Sequence, residues 1–265
     1  MPKKIVILLA VFAAFLAFWI AANIWLDNPA SALNDYSRWI VPLVLMIASS
    51  AILALAILLV NKDWKWILVY SAAVILPGLF VVGFGSLTVI GGLAGMGALI
   101  SGAAQKIRNE SETRIRVNIN AMIGSGTRFI LAGAIVFLSV AYYASPAVQI
   151  SKETRQLPPT IIEMIQGLTR RLVGDELAIL PAKERAQAEK TVVREVLDQI
   201  NDLAGPYLKF LPFILAIGLF LLLQSLNFIF AWLAGLIAAG VFWILIKVNF
   251  IKIEKVMIEG EKISL

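Results

Sequence analysis

Residues 83–102 read GFGSLTVIGGLAGMGALISG and lie inside a longer apolar run, 66–104, that contains no charged residue. On a helix, small residues of this segment recur on one face, while Leu93, Met96 and Ile100 fall on the opposite face. In lipid a bare face lets another helix come close, because association there depends on van der Waals contact between backbones. We therefore predict a helix-packing face in this helix, made of Gly91, Gly95, Ala98 and Gly102.

The composition predicts the class of the whole chain. Hydrophobic residues make up 60% of its 265 residues and charged residues 15%, and the mean hydropathy is +0.87. An ordinary soluble domain has an apolar share near one half and a charged share near one quarter. We predict an all-α integral membrane protein that forms a polytopic helical bundle. Its net charge of +6 does not indicate a nucleic-acid partner, since membrane proteins carry Lys and Arg residues that fix their orientation.

The chain contains no Cys and no His. This removes disulfides, thiolate nucleophiles, His-containing zinc sites and the commonest general base. The predicted spans also carry no charged residue in the middle, which disfavours proton-coupled transport. We therefore predict a protein that is not an enzyme and that uses no cofactor or metal.

About seven segments are long and apolar enough to be transmembrane helices, which need roughly 20 residues each. The run 66–104 is predicted to form two of them, joined by a turn at 83–86; the alternative is a helix broken at Pro77 and Gly78. The first segment follows two lysines, and its alternative is a signal peptide cleaved near residue 32. The predicted helices are 5–26, 39–60, 66–84, 86–104, 129–144, 207–224 and 229–246.

The loop predicted at 105–128 is basic, and this charge predicts the orientation. With five helices before residue 145, this loop and the lysines at positions 3, 4, 62 and 65 fall on one side, so the N-terminus is predicted to be cytoplasmic in the plasma membrane. The alternating segment TRIRVNIN at 113–120 predicts a short strand. Candidates for contact with anionic lipid are Lys106, Arg108, Arg114, Arg116 and Arg128.

The chain divides into four predicted regions. Residues 1–146 form five membrane helices with the basic loop, and 147–206 form a small extracytoplasmic helical hairpin domain. Residues 207–248 form a second membrane pair, and 249–265 form a short strand-like tail. Seven crossings place this tail outside, whereas its lysines and alternation fit pairing with the basic strand inside; residues 148–151 offer an outside partner.

The sequence favours a structural, interaction or assembly role over chemistry. The bilayer is one partner, a protein bound through 160–203 is a second, and another copy bound through the glycine face is a third. The alternative is a passive channel or a permease for lipid or small solutes, without proton coupling and lined by the region 77–97.

Overall fold

The computed structural model describes residues 2–27, 37–60, 64–82, 87–113, 118–146, 148–149, 162, 165–167 and 181–251. Apart from caps and turns these residues are helical, and no strand occurs among them. The helices are α1 Pro2–Asp27, α2 Ser37–Val60, α3 Trp64–Val82, α4 Leu87–Thr113, α5 Ile119–Ala144, α6 Ala182–Ala204, a 3-10 helix Gly205–Phe210, α7 Leu211–Ser225 and α8 Asn227–Lys247.

Five helices in the described part of the chain, namely α1, α2, α3, α5 and α8, are long and apolar enough to cross a membrane. Helix α7 is apolar but has only 15 residues, about 22 Å of helix against a hydrocarbon core of about 30 Å. Helix α4 is less apolar than these five, because it contains several glycines and its last residues, 105–113, are mostly polar. The membrane-embedded helical class is confirmed, whereas the predicted count of seven spans is not.

Helix α3 runs without interruption through Pro77 and Gly78. The alternative in which the chain breaks there is therefore wrong. Pro77 removes one backbone donor, yet α3 continues beyond it to Val82. The predicted turn at 83–86 lies outside the described residues.

The predicted strand at 113–120 is also wrong wherever the structure describes it. Thr113 is the last residue of α4, and Ile119 and Asn120 begin α5. The Asn118 side chain accepts a hydrogen bond of 3.2 Å from the Ala121 backbone N–H, which caps α5. The described residues of 113–120 are thus the end of α4 and the capped start of α5, and most of the predicted loop 105–128 is helical.

Helix α4 packs chiefly against α5, and the two helices are antiparallel. A Cβ built on Gly92 would lie 3.1 Å from Val140, near the end of α5, and one on Gly102 would lie 3.6 Å from Phe129, nearer its start. Helices α1 and α5 are parallel, because Trp19 meets Phe137 with ring centroids 4.6 Å apart and Trp25 stacks on Tyr142 at 5.5 Å.

These pairings bring three helix termini to the same end of the bundle. The start of α1, the end of α4 and the start of α5 lie there, and the start of α3 joins them because the Lys4 ammonium lies 5.4 Å from the Trp66 ring. Helix α8 also finishes there, since the Lys3 ammonium donates a hydrogen bond of 2.7 Å to the carbonyl of Phe250. We name this end of the bundle the basic end.

The centre of the bundle is filled with large aromatic side chains. Phe15, Phe18, Trp19 and Phe137 are fully buried. The indole N–H of Trp19 donates to the Val74 carbonyl at 3.1 Å, so the polar atom of this buried side chain has a partner. One core thus joins α1, α3 and α5.

The predicted extracytoplasmic domain is described only in part. Helix α6 confirms a helix in its second half, and Ile162 and residues 165–167 are helical in the first half; the remainder lies outside the described residues. Of the predicted strand-like tail, residues 249–251 form turns and bends after α8, and 252–265 lie outside the described residues.

Candidate functional site

The face of α4 that packs inside the protein is its bulky one. Leu93, Met96 and Ile100 are buried against the other helices. Gly91 and Ala98 are exposed, as is Ala94 between them, and a Cβ built on Gly91 would meet nothing within 4 Å. We name Gly91, Ala94 and Ala98 the open face of α4.

The four predicted packing residues do not share one partner helix. Gly95 and Gly102 are half-buried beside α5, where an added Cβ would lie 3.7 Å from Val136 and 3.6 Å from Phe129. These are ordinary van der Waals distances. Gly91 and Ala98 lie on the open face, so the structure divides the predicted set between an inner edge and an outer surface.

The glycines that permit close approach are different ones. A Cβ on Gly126 would overlap the Ile107 side chain and lie 3.0 Å from the Ala103 carbonyl oxygen. A Cβ on Gly133 would lie 3.4 Å from the Met96 Cα atom. Sequence reasoning missed this seam because it searched only α4. The seven-residue spacing of Gly126 and Gly133, two turns on one face of α5, was the available signal.

Basic side chains from five helices gather at the basic end. Of the predicted lipid-contact residues, Lys106, Arg108 and Arg128 lie on α4 and α5 and are exposed, and Arg114 and Arg116 lie outside the described residues. Helices α1, α3 and α8 contribute four more, which sequence reasoning used only for orientation or as helix-end residues: Lys3, Lys4, Lys65 and Lys247.

Arg128 lies within the candidate span Ala121–Ala144, about two turns from its start. The predicted helix 129–144 begins just after Arg128, whereas α5 begins at Ile119, so Arg128 lies inside the helix but not in the middle of the span. The prediction started this helix at 129 because it treated Arg128 as the end of a loop. An exposed Arg two turns inside a membrane helix can reach the interface by extending its side chain.

A polar joint links α7 to α8 beside Arg128. Leu226 alone separates the two helices, with φ −90° and ψ −4°. The Asn227 side-chain amide donates to the Arg128 carbonyl at 3.2 Å and to the Gln224 side-chain oxygen at 3.4 Å. The Asn227 side-chain oxygen is buried and has no hydrogen-bond partner, which makes it an acceptor available to a small donor such as water.

Metal-ligating side chains do not cluster in the part of the chain that the structure describes. Within those ranges, no group of three or more carboxylate, imidazole or thiol side chains could hold a metal ion. The features that remain are the open face of α4, the basic end and the polar joint.

The fold and these surfaces define the class of a membrane-embedded helical protein. Comparison with known protein families, curated proteins and solved structures found no match to this chain.

Proposed function

We propose that this protein is a non-enzymatic, multi-pass membrane protein with an interaction or assembly role, and that the open face of α4 binds a second copy. The observation that carries the proposal is that α4 buries its bulky side and turns Gly91, Ala94 and Ala98 outward. Contacts within the described part of the subunit leave these three positions uncovered.

Lipid tails are as apolar as Leu, so exposing small residues to lipid brings no hydrophobic stabilisation. The same residues against another α4 allow two backbones to approach closely, which is the main source of helix association in bilayers. Ala94 and Ala98 are four residues apart, the spacing that places two small residues on one helix edge. A two-fold axis then places the open face of one subunit against the open face of the other.

The charge distribution supports a cytoplasmic N-terminus. Seven Lys and Arg residues lie at the basic end, and the described residues there include two glutamates, Glu110 and Glu112 of α4. The opposite end carries Asp27 and Arg38 at the adjoining ends of α1 and α2. An excess of Lys and Arg marks the cytoplasmic side, and the same rule leaves 147–206 outside the plasma membrane.

An even number of crossings fits this structure better than seven. Lys3 and Phe250 touch, so the first helix starts and the last helix ends on the same side. Arg128 lies about 14 Å along α5 from Phe137, and Lys3 about 24 Å along α1 from Trp19. The contact between Trp19 and Phe137 puts these two residues at the same height along the bundle. Asn227, at the start of α8, contacts Arg128, and Phe250, just after the end of α8, contacts Lys3. The two ends of α8 therefore differ by only about 10 Å in height, although α8 is about 30 Å long.

Helix α8 therefore runs obliquely, and we propose that α7 and α8 together form one bent crossing. Helix α7 descends beside α5 to the polar joint, and α8 continues to the basic end. With α1 to α5, this gives six crossings and places Phe250 in the cytoplasm.

The test of the α4 contact uses the absence of native cysteine. Ala94→Cys should form a disulfide between copies in native membranes, because the Cβ atoms of a bonded pair lie about 4 Å apart. Leu221→Cys, on an exposed position of α7, is the control and should stay uncrosslinked.

A second variant pair tests assembly size directly. Gly91→Leu should dissociate the assembly without unfolding the subunit, because its Cβ has open space. Gly218→Leu is the matched control on α7, where a Cβ also meets nothing within 4 Å. An unchanged mass for Gly91→Leu in detergent or in nanodiscs, with no Ala94→Cys crosslink, would contradict the proposal.

The outer region offers a separate protein contact. Val193, Val196 and Ile200 form a half-buried apolar stripe on α6, and among the described elements α6 packs chiefly on the 3-10 helix that follows it. We propose that a protein partner covers this stripe. Val196→Glu should abolish crosslinking to that partner, whereas Lys190→Glu, on the exposed side of α6, should preserve it.

The alternative function is a passive permease, and the polar joint is the observation that favours it. An interrupted membrane helix with an unsatisfied buried acceptor is a common setting for a solute path. The predicted lining at 77–97 is less suitable, since a Cβ on Gly97 would lie 3.6 Å from Ile75 and the two helices pack together there. Solute flux in liposomes that falls with Asn227→Leu and not with Gly91→Leu would favour the permease.

A further inference from the structure

We infer that Lys3, Lys4, Lys65 and Lys247 form a binding site for the phosphate headgroups of anionic phospholipids. This inference rests on the cytoplasmic orientation proposed above, and it is independent of the α4 contact. We name these four residues the terminal lysine cluster. It differs from the basic group on α4 and α5, which the sequence already selected.

The cluster is assembled by contacts between helices that are distant in sequence. The Lys3 ammonium bonds to the Phe250 carbonyl at 2.7 Å and lies 5.2 Å from the Phe250 ring centroid. Lys247 ends α8, three residues earlier. The Lys4 ammonium lies 5.4 Å from the Trp66 ring centroid, next to Lys65. Lysines from α1, α3 and α8 are thus brought to the same end of the bundle, beside the start of α1.

A specific helix ending holds Phe250 in place. Asn249 has φ +57°, and the backbone N–H groups of Phe250 and Asn249 donate to the carbonyls of Leu245 and Ile246, each at 2.9 Å. This is the hydrogen-bond pattern of a Schellman motif, in which the left-handed residue follows the helix end. Asn tolerates that conformation better than most residues. The turn therefore fixes the carbonyl that Lys3 binds.

The surroundings of the cluster fit a lipid headgroup rather than a soluble anion. Trp64 is 53% exposed beside Lys65, and Val248 is 64% exposed beside Lys247. An exposed indole with adjacent lysines is typical of the headgroup level of a bilayer. The Tyr70 hydroxyl donates to the Lys4 carbonyl at 3.4 Å, which ties the same part of α1 to α3. Lipid phosphates meet the ammonium groups there while their acyl chains cover α3 and α8.

Charge complementarity sets the expected size of the effect. A basic residue near an anionic leaflet contributes roughly a fivefold factor in lipid affinity at physiological salt. Replacing the three exposed lysines together, as Lys3→Gln, Lys65→Gln and Lys247→Gln, should weaken binding of anionic lipid by about 100-fold. The loss should shrink as salt rises, because screening weakens the contribution of each charge.

The experiment measures exchange of phosphatidylglycerol from detergent onto the full-length protein by native mass spectrometry. It compares the wild type, the triple variant and a control variant, Lys209→Gln. Lys209 lies before α7 with its ammonium 4.9 Å from the Phe210 ring, and it should not affect binding. A variant with Lys3→Arg, Lys65→Arg and Lys247→Arg should retain binding.

Three outcomes would overturn the inference. Phosphatidylglycerol binding by the triple Gln variant within threefold of wild type would do so, as would equal binding of neutral phosphatidylcholine by the wild type. Competition by millimolar glycerol phosphate would show that the site recognises free phosphate instead of lipid. Assembly size, measured in the same spectra, separates these results from any failure of the α4 contact.

Discussion

The indole of Trp19 in α1 lies against the backbone of Gly78 in α3, and its N–H bonds to the Val74 carbonyl one turn earlier at 3.1 Å. A Cβ at position 78 would stand 3.0 Å from Trp19 Cε2 and 3.1 Å from Nε1. The absence of a side chain at Gly78 is therefore what allows the hydrogen bond. Trp19 also meets Phe137 of α5, so this one contact fixes three helices.

Gly78→Ala should lower the stability of the bundle. Overpacking a filled core costs about 1–3 kcal/mol, which exceeds the gain of up to about 1 kcal/mol from the better helix propensity of Ala. Thermal unfolding in detergent measures the change. Gly240→Ala in α8, where a Cβ meets nothing within 4 Å, is the control and should be neutral or stabilising. Equal melting temperatures for the two variants would contradict this account of Trp19.

Gly126→Ala should separate α4 from α5 and destabilise the protein by about 2–3 kcal/mol. Its new Cβ would meet the Ile107 side chain and the Ala103 carbonyl, and a backbone atom cannot move aside as a flexible side chain can. Gly124→Ala, two residues away with open space around it, should have little effect. Chemical denaturation in mixed micelles would distinguish the variants; similar curves would show that the seam tolerates a methyl group.

Asn118→Ala should destabilise the start of α5 by about 1 kcal/mol, because it removes the acceptor for the Ala121 backbone N–H. Asn118→Asp should keep most of the stability, since a carboxylate also caps a helix start. Hydrogen exchange of the first turn of α5 measures this locally. Unchanged protection in Asn118→Ala would mean that other groups hold that end.

Single cysteines should report the six-crossing arrangement. Ser111→Cys, after the basic end of the α4 span, and Val248→Cys, after α8, should resist a membrane-impermeant maleimide in intact cells. Asp27→Cys, at the opposite end of α1, should react. Labelling of Val248→Cys together with Asp27→Cys would restore the seven-crossing topology and remove the basis for a cytoplasmic terminal lysine cluster.

The helices were largely predictable because apolar length is a local property of the sequence. The predicted segments 5–26 and 39–60 fall within α1 and α2, and the separate helices before and after 83–86 follow from a run too long for one crossing. The errors occurred at helix ends. At 113–120 the described residues belong to the end of α4 and the start of α5, and an alternation over only eight residues is too short to separate a strand from helix ends.

The candidate surfaces were less predictable because they depend on which face of each helix meets its neighbour. The glycines of α4 were correctly placed on one helix, but small size alone does not say whether a face is packed or open. Gly126 and Gly133 occupy the tight seam instead, and only the position of Met96 and Ile107 across from them shows it. The terminal lysine cluster required knowing that residues 247 positions apart meet.

The bond between Lys3 and Phe250 also has a consequence for how the protein is made. Helix α1 leaves the ribosome before the other described helices, yet the contact at its start is supplied by Phe250, 247 residues after Lys3. Until synthesis reaches Phe250, the start of α1 lacks this hydrogen bond. Bringing together two residues so far apart in the sequence is a late step in folding. A chain that stops before residue 250 would therefore have its helices inserted but would lack the bond between the start of α1 and the turn after α8.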